Sequence, residues 1–313
     1  MEFYEDSLRD VFGETLVHLG QQNDAIMVLD ADLNTSINTC LFKEAFPNRF
    51  IQCGIAEANM FSIAAGMAYM GYTPFPTTFA AFVTRKALDP LFMNICCQKL
   101  NVKIAGSYPG LTATECGASH NTCDDIAAIR ALPHIRVADV GDNRELMSLM
   151  ETCVEQDGPV YFRVARANVP VLFDNSHRFA WGKGHELLAG RDVTILSTGM
   201  MTGLALKAAQ LLQQEGKSAQ VIHMPSIKPL DHELIVRAAK GTGAVLTIEN
   251  GRVWGGFGGA VAELLVQEYP VVMDIMGIGD EPAACGSLGE LLVHHNLTPA
   301  DIALHAIGLI ARK

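Results

Sequence analysis

The sequence predicts an α/β protein made of two successive domains, each built on a parallel sheet. Two observations predict it. Short β-rich runs alternate with segments of helical apolar spacing, and the alternation breaks once, in a turn-rich stretch near residues 168–184. Strand–helix alternation at this spacing implies a parallel sheet covered on both faces.

Taken in order, Ala25 to Asp30 reads as a buried strand, and Glu57 to Tyr72 as a helix whose Gly66 and alanines suit close packing. Strands follow at Val102–Ala105, Ile135–Ala138 and Val160–Val164, with an amphipathic helix from Asn143 to Glu155 between the last two. Pro170, Asp174-Asn175-Ser176 and Gly182-Lys183-Gly184 then mark a linker without a clear period. Alternation resumes with strands at Val193–Leu196, Ala219–Ile222, Ala244–Ile248 and Val271–Ile275. Helices are expected at Thr202–Gln214, Asp231–Lys240 and Gly256–Val266. The expected organisation is a first domain at 1–170, a linker at 171–187, and a second domain at 188–313 of about 125 residues.

Composition narrows the function classes. The chain has 313 residues, 49% hydrophobic and 18% charged, enough for a sizeable core. A formal net charge of −11 argues against nucleic acid or an anionic membrane as the main partner, since both favour a basic face. It leaves room for anionic small ligands held by local arginines. No stretch approaches the roughly 18–20 apolar residues of a membrane span. The acidic start Met1-Glu2-Phe3-Tyr4-Glu5-Asp6 lacks a signal-peptide layout, and eight scattered cysteines suit a reducing compartment. Cytoplasm is the expected location.

Several motifs have ordinary structural readings. Gly256-Phe257-Gly258-Gly259-Ala260 lacks the spacing of a dinucleotide loop and reads as helix–strand packing. Gly141-Asp142-Asn143 reads as a turn with a helix N-cap, because no downstream asparagine completes a metal-diphosphate motif. Cys116, His120 and Cys123 can be drawn as metal ligands but lack the paired spacing of zinc sites. No P-loop or G-x-S-x-G elbow occurs.

The chemically informative stretch is Gly54-Ile55-Ala56-Glu57-Ala58-Asn59-Met60, followed by Thr77-Thr78-Phe79-Ala80-Ala81-Phe82. A carboxyl opening an apolar helix, beside two phenylalanines three residues apart, suits a flat, basic heterocycle. The acid can bind a ring nitrogen while the aromatic faces stack on the ring. Further along come Glu115-Cys116-Gly117-Ala118-Ser119-His120, Asp124 to Arg130, Asp157-Gly158-Pro159-Val160-Tyr161 and Arg166-Ala167-Asn168, with Ala31-Asp32-Leu33 near the start.

In this order these segments resemble the pyrimidine-binding and C-terminal domains of the transketolase family, over nearly the whole chain. The resemblance implies thiamine diphosphate as cofactor, with Glu57 sharing a proton with the pyrimidine and Phe79 and Phe82 stacking on it. An apolar surrounding would favour the neutral form of that acid. The resemblance also implies His120 as a contact to the donor ketose, and Arg166, Ser36 and Arg9 as the sugar-phosphate anchor. The family's diphosphate-binding domain, which carries Gly-Asp-Gly and holds Mg2+ or Ca2+, has no counterpart in these residues. A companion N-terminal subunit is therefore expected to supply it, in an α2β2 heterotetramer acting on sugar phosphates.

Three departures from the family bear on substrate. Cys116 stands at an aspartate position, Arg85 at an aromatic one, and Tyr108 where a histidine is common. A thiol is a poor hydrogen-bond acceptor, so an unusual or branched sugar phosphate, such as apulose 4-phosphate, is the expected substrate class. Two alternatives stay open: the beta subunit of a 2-oxoacid dehydrogenase, and a non-catalytic α/β regulatory subunit.

Overall fold

The computed structural model describes residues 7–313; the acidic segment 1–6 lies outside them. Twelve strands form among these residues: β1 Ile26–Asp30, β2 Phe50–Gln52, β3 Thr73–Phe79, β4 Lys103–Ser107, β5 Arg136–Asp139, β6 Val160–Val164, β7 His185–Leu188, β8 Val193–Ser197, β9 Ala219–His223, β10 Ser226–Lys228, β11 Ala244–Arg252 and β12 Val272–Ile278. They build a seven-stranded sheet ordered β10-β5-β6-β4-β3-β1-β2 and a five-stranded sheet ordered β12-β11-β8-β9-β7. Neighbours run parallel except at two edges, where β10 pairs antiparallel with β5 and β7 antiparallel with β9.

The expected two-sheet α/β architecture is present, with differences of physical origin. β3 lies in the middle of its sheet despite Pro74 and Pro76. The Thr73 N–H donates to the Ala25 carbonyl at 2.8 Å, so residues 73, 75 and 77 address β1. The two prolines therefore face the β4 side, where pairing starts only at Thr77. Their missing N–H groups interrupt no ladder bond. β7 occupies the last part of the segment expected as linker, as an edge strand against β9.

Helices absent from the sequence reading include Leu8–Gln22, Ala80–Lys86 and Pro299–Ile310. Leu8–Gln22 buries Leu8, Val11, Phe12, Leu16 and Leu19, one apolar face at helical spacing. Pro299–Ile310 begins with a capping box in which the Thr298 hydroxyl and the Asp301 carboxylate satisfy each other's amides. No described helix is long and apolar enough to cross a membrane.

The two sheets share one hydrophobic core, in which Val137 and Tyr161 pack with Ile222, Ile227, Leu234 and Phe257. Between the sheets lies a buried charge network. Arg163, 1% exposed, meets Asp125 at 2.5 Å and Asp139 at 3.2 Å. It also donates to the Asn250 carbonyl at 3.0 Å, and the Tyr161 hydroxyl donates to Asp125 at 2.6 Å. Asn250 returns the link: its Oδ1 accepts the Leu111 N–H at 2.8 Å. The β5–β10 pairing and an Arg130–Glu263 ion pair at 2.5 Å add to this seam.

Glycines at 256 and 258 serve packing, as expected. The Glu249 carboxylate accepts the Phe257 and Gly258 amides at 2.9 and 2.8 Å, at the start of the helix Phe257–Glu268. A Cβ on Gly258 would lie 2.5 Å from the Ile275 side chain. Asp142 caps the helix Asn143–Glu155 through the Glu145 amide and also accepts the Leu172 and Phe173 amides.

Two outcomes follow. Asp125→Ala leaves Arg163 buried with the Asp139 carboxylate and the Asn250 carbonyl, and a loss of about 3–5 kcal/mol is expected in urea unfolding. Burial pushes the Glu249 carboxyl up to about 7, against the opposing amides of Gly258 and Phe257. Its value in the unfolded chain is near 4.5, so the folded state binds the extra proton. The associated stability is complete below pH ~4.5 and is lost as pH rises through about 7. Glu249→Gln should flatten that slope by up to about 1.4 kcal/mol per pH unit, read from urea midpoints across this window.

Candidate active site

The site forms at the C-terminal ends of β1, β3, β4 and β6, where open parallel sheets bind ligands. Gly54, with φ of +69°, makes the turn from β2 into the helix Glu57–Tyr69, a backbone position that suits glycine. Glu57 is the first residue of that helix and only 2% exposed. A carboxylate there is favoured by the helix dipole. Its partner is Lys86, at the end of the helix Ala80–Lys86, 3.1 Å away. The same ammonium sits 4.1 Å from the centre of the Phe82 ring, a cation–π contact. Lys86 carries no warning in the sequence; the fold brings it across 29 positions to Glu57. The acid is thus paired with a cation, which in turn lies over Phe82, and this differs from the purely apolar surrounding expected.

Phe79 ends β3 and Phe82 lies one turn into the following helix, so both rings share a face. Their centroids are 5.7 Å apart with the planes 23° from parallel. His120 stands edge-on to both, at 6.0 and 5.3 Å. Ser119 Oγ lies 2.8 Å from His120 Nδ1, which leaves Nε2 as the remaining ring nitrogen. Arg85 pins this loop: its guanidinium donates to the Asn121 carbonyl at 2.8 Å and meets Asp124 at 3.2 Å.

Behind Phe79 the Tyr108 ring stacks at 4.6 Å. Tyr108 takes φ of +58°, a strained position for a bulky residue, and is held by its N–H to the Val164 carbonyl at 2.9 Å. Its hydroxyl donates to the Ser36 carbonyl at 2.5 Å. Arg9 reaches the same carbonyl at 3.3 Å and the Tyr108 oxygen at 3.4 Å. Burial works against the Arg9 charge, but Tyr108 and Asp10 outweigh it and raise its pKa. Arg166, exposed, lies over the Tyr108 ring, 5.3 Å from its centre. Asp30 holds the loop that carries Ser36 by accepting from the Leu33 amide and the Thr39 hydroxyl.

All seven sequence-predicted residues, Glu57, Phe79, Phe82, His120, Arg166, Ser36 and Arg9, therefore belong to one connected wall running from an acid to a guanidinium pair. Ser36 contributes its carbonyl to the Arg9 and Tyr108 contacts. Cys116 is exposed and Cys123 buried, with the Cys123 thiol pushed up to about 12 by burial. Neither cysteine falls in a metal-competent group among the described residues.

The residues present fit a thiamine pyrimidine. The acid can hold a ring nitrogen, and the flat Phe82 face is linked to it through Lys86. Asn121, next to His120, keeps both polar side-chain atoms buried without a partner.

Comparison with known proteins agrees. Residues 6–171 match the model of the transketolase pyrimidine-binding domain and residues 182–302 that of the transketolase C-terminal domain. The chain belongs to the transketolase family. The 6-deoxy-6-sulfo-D-fructose transketolase subunit SqwH of Clostridium sp. (strain MSTE9) is 37% identical, covering 99% of this chain and 96% of its own. An apulose-4-phosphate transketolase subunit of Phocaeicola vulgatus is 34% identical, covering 97% of each chain. A split-gene transketolase, solved as an inactive beta4 tetramer, superposes with a TM-score of 0.89 at 41% identity, over 97% of this chain and 98% of that one. The chain thus corresponds to the C-terminal subunit of a split transketolase, a thiamine diphosphate family. Both non-transketolase readings give way to this membership.

Phe82 presents the more accessible of the two rings. Phe82→Ala should raise the dissociation constant for thiamine diphosphate in the assembled enzyme by roughly 5–150-fold. That range matches about 1–3 kcal/mol for stacking a heterocycle on an aromatic face, and titration calorimetry reads it.

Proposed function

We propose that this chain is the C-terminal subunit of a two-chain transketolase, moving a two-carbon ketol unit from a ketose phosphate to an aldehyde or ketone acceptor. The observation that carries the reading is Glu57 joined through Lys86 to Phe82, with Phe79 and His120 against that ring and Tyr108, Arg9 and Arg166 continuing the wall. Thiamine diphosphate, when bound, supplies the electron sink for breaking a bond beside a carbonyl. Glu57 holds a proton at the pyrimidine nitrogen, Phe79 and Phe82 orient the ring, and His120 Nε2 binds a substrate oxygen. Arg9 and Arg166 attract the phosphate end.

A companion subunit supplies the diphosphate and Mg2+ or Ca2+ site in an α2β2 assembly, in the cytoplasm. Asp142 supports this division, since its carboxylate is committed to three backbone amides. So does the description of the related split-gene protein as an inactive beta4 tetramer.

The substrate is an uncommon sugar phosphate. A relative named for apulose 4-phosphate favours this, and one named for 6-deoxy-6-sulfo-D-fructose, a sulfonate in place of a phosphate, favours an uncommon sugar with an anionic end. Arg85 adds to it, since it ties down the His120 loop rather than completing an aromatic wall.

Reconstitution with the companion tests the proposal. The pair should be active and the single chain inactive, and Glu57→Gln should lower kcat by about 10²–10⁴-fold with unchanged circular dichroism. Full activity from the single chain, or from Glu57→Gln, would overturn it. Strong preference for xylulose and ribose phosphates would remove the substrate claim alone.

A further inference from the structure

Away from the candidate site, segments distant in sequence bring one carboxylate and three imidazoles together. Glu145 lies on the helix Asn143–Glu155, His177 on the connecting segment, His185 at the start of β7 and His223 at the end of β9. Half of this cluster is fixed by conventional bonds. Glu145 Oε2 accepts the Gly141 N–H at 2.8 Å and lies 2.7 Å from His223 Nε2. His223 Nδ1 is in turn 2.7 Å from Thr202 Oγ1.

The other half lacks such bonds. Glu145 Oε1, His177 Nε2 and His185 Nε2 are all buried without a hydrogen-bond partner. Oε1 and the His177 nitrogen approach to 3.3 Å, yet not at an angle that makes a hydrogen bond. One ligand atom from each of Glu145, His177 and His185 lies within 4.8 Å of those of the other two. Orphaned buried polar atoms are rare in native proteins, and a group of them sharing one point indicates a common ligand.

We propose that Glu145, His177 and His185 bind a divalent transition metal of the zinc class, with a fourth position for water. Zinc takes imidazole nitrogen and carboxylate oxygen at about 2.0–2.1 Å, which places neighbouring ligand atoms about 3.3 Å apart in a tetrahedron. The Glu145–His177 pair already has this separation. Two imidazoles and one carboxylate select zinc over calcium or magnesium, which take oxygen ligands. His223 orients the carboxylate from behind, the support that metal sites require. Phe173 stacks on the His177 ring at 3.8 Å and fixes its plane. His177 also lines a surface groove of about 180 Å3 with Arg144, Glu151 and Asp174, a route for the ion from solvent. The metal would join the helix beneath the first sheet to the connecting segment and to the edge of the second sheet.

The test uses the full chain, stripped with chelator and titrated with Co2+ and then Zn2+. One equivalent of Co2+ is expected to give visible d–d bands that one equivalent of Zn2+ abolishes. The double variant His177→Gln/His185→Gln should bind about 100-fold or more weaker. His294→Gln, in the more exposed Glu281–His294–His295 group, should bind normally. No stoichiometric binding at micromolar metal, unchanged affinity in the double variant, or loss with His294→Gln would overturn the site. If the double variant does not fold, X-ray absorption of the Co2+-loaded wild-type chain decides. Imidazole scattering from two ligands is expected, and its absence rejects the assignment.

Discussion

The ion pair between Arg163 and Asp125, sealed from water at 1% and 0% side-chain exposure, is the constraint on which the rest of the structure depends. A guanidinium so deep in a protein is tolerable only when nearly every donor is matched. Here the matches come from both halves: Asp125 and Asp139 from the first, the Asn250 carbonyl from the second. The network therefore fixes the relative position of the sheets with directional contacts, where an apolar seam alone would allow sliding. Asp125 opens the helix Asp125–Arg130, directly after the loop carrying His120 and Asn121, so the network also anchors the rim of the candidate site.

The wall from Glu57 to Arg9 has a clear division of labour. One end is an acid balanced by Lys86, the middle is a run of stacked rings, and the far end carries guanidinium charge. A basic group suits the acid end and an anionic group the guanidinium end, so ligands match such a gradient in only one arrangement. Electrostatics can therefore set direction before any close contact forms. Tyr108 is the hinge between the regions, because its ring packs on Phe79 while its hydroxyl meets Ser36 and Arg9. Its strained backbone is held in place by that packing and by its N–H bond to the Val164 carbonyl.

How much of this was legible follows from the range of the interactions. The helix Asn143–Glu155 and the strand Val160–Val164 appear with the bounds their spacing predicts, since local pattern and burial agree there. The helix Leu8–Gln22 also carries a readable apolar face. Thr73–Phe79 does not, because two prolines mask a strand whose register makes them harmless. Among residues of the candidate site, Glu57, Phe79, Phe82 and His120 are legible because each sits in a short motif. Lys86, the Ser36 carbonyl and the Arg163 network are not, since no periodicity links residues joined only by the final packing.

One small element has wide consequences for the chain as an evolutionary and engineering unit. Ser226–Lys228 is encoded in the second half yet completes the border of the first sheet beside Arg136–Asp139. Severing the polypeptide at the connecting segment would strip that border strand away. The amino-terminal fragment would then present bare amides and carbonyls, ready to recruit a neighbouring molecule. The halves are accordingly not interchangeable modules, and chimeras between family members need their crossover placed elsewhere.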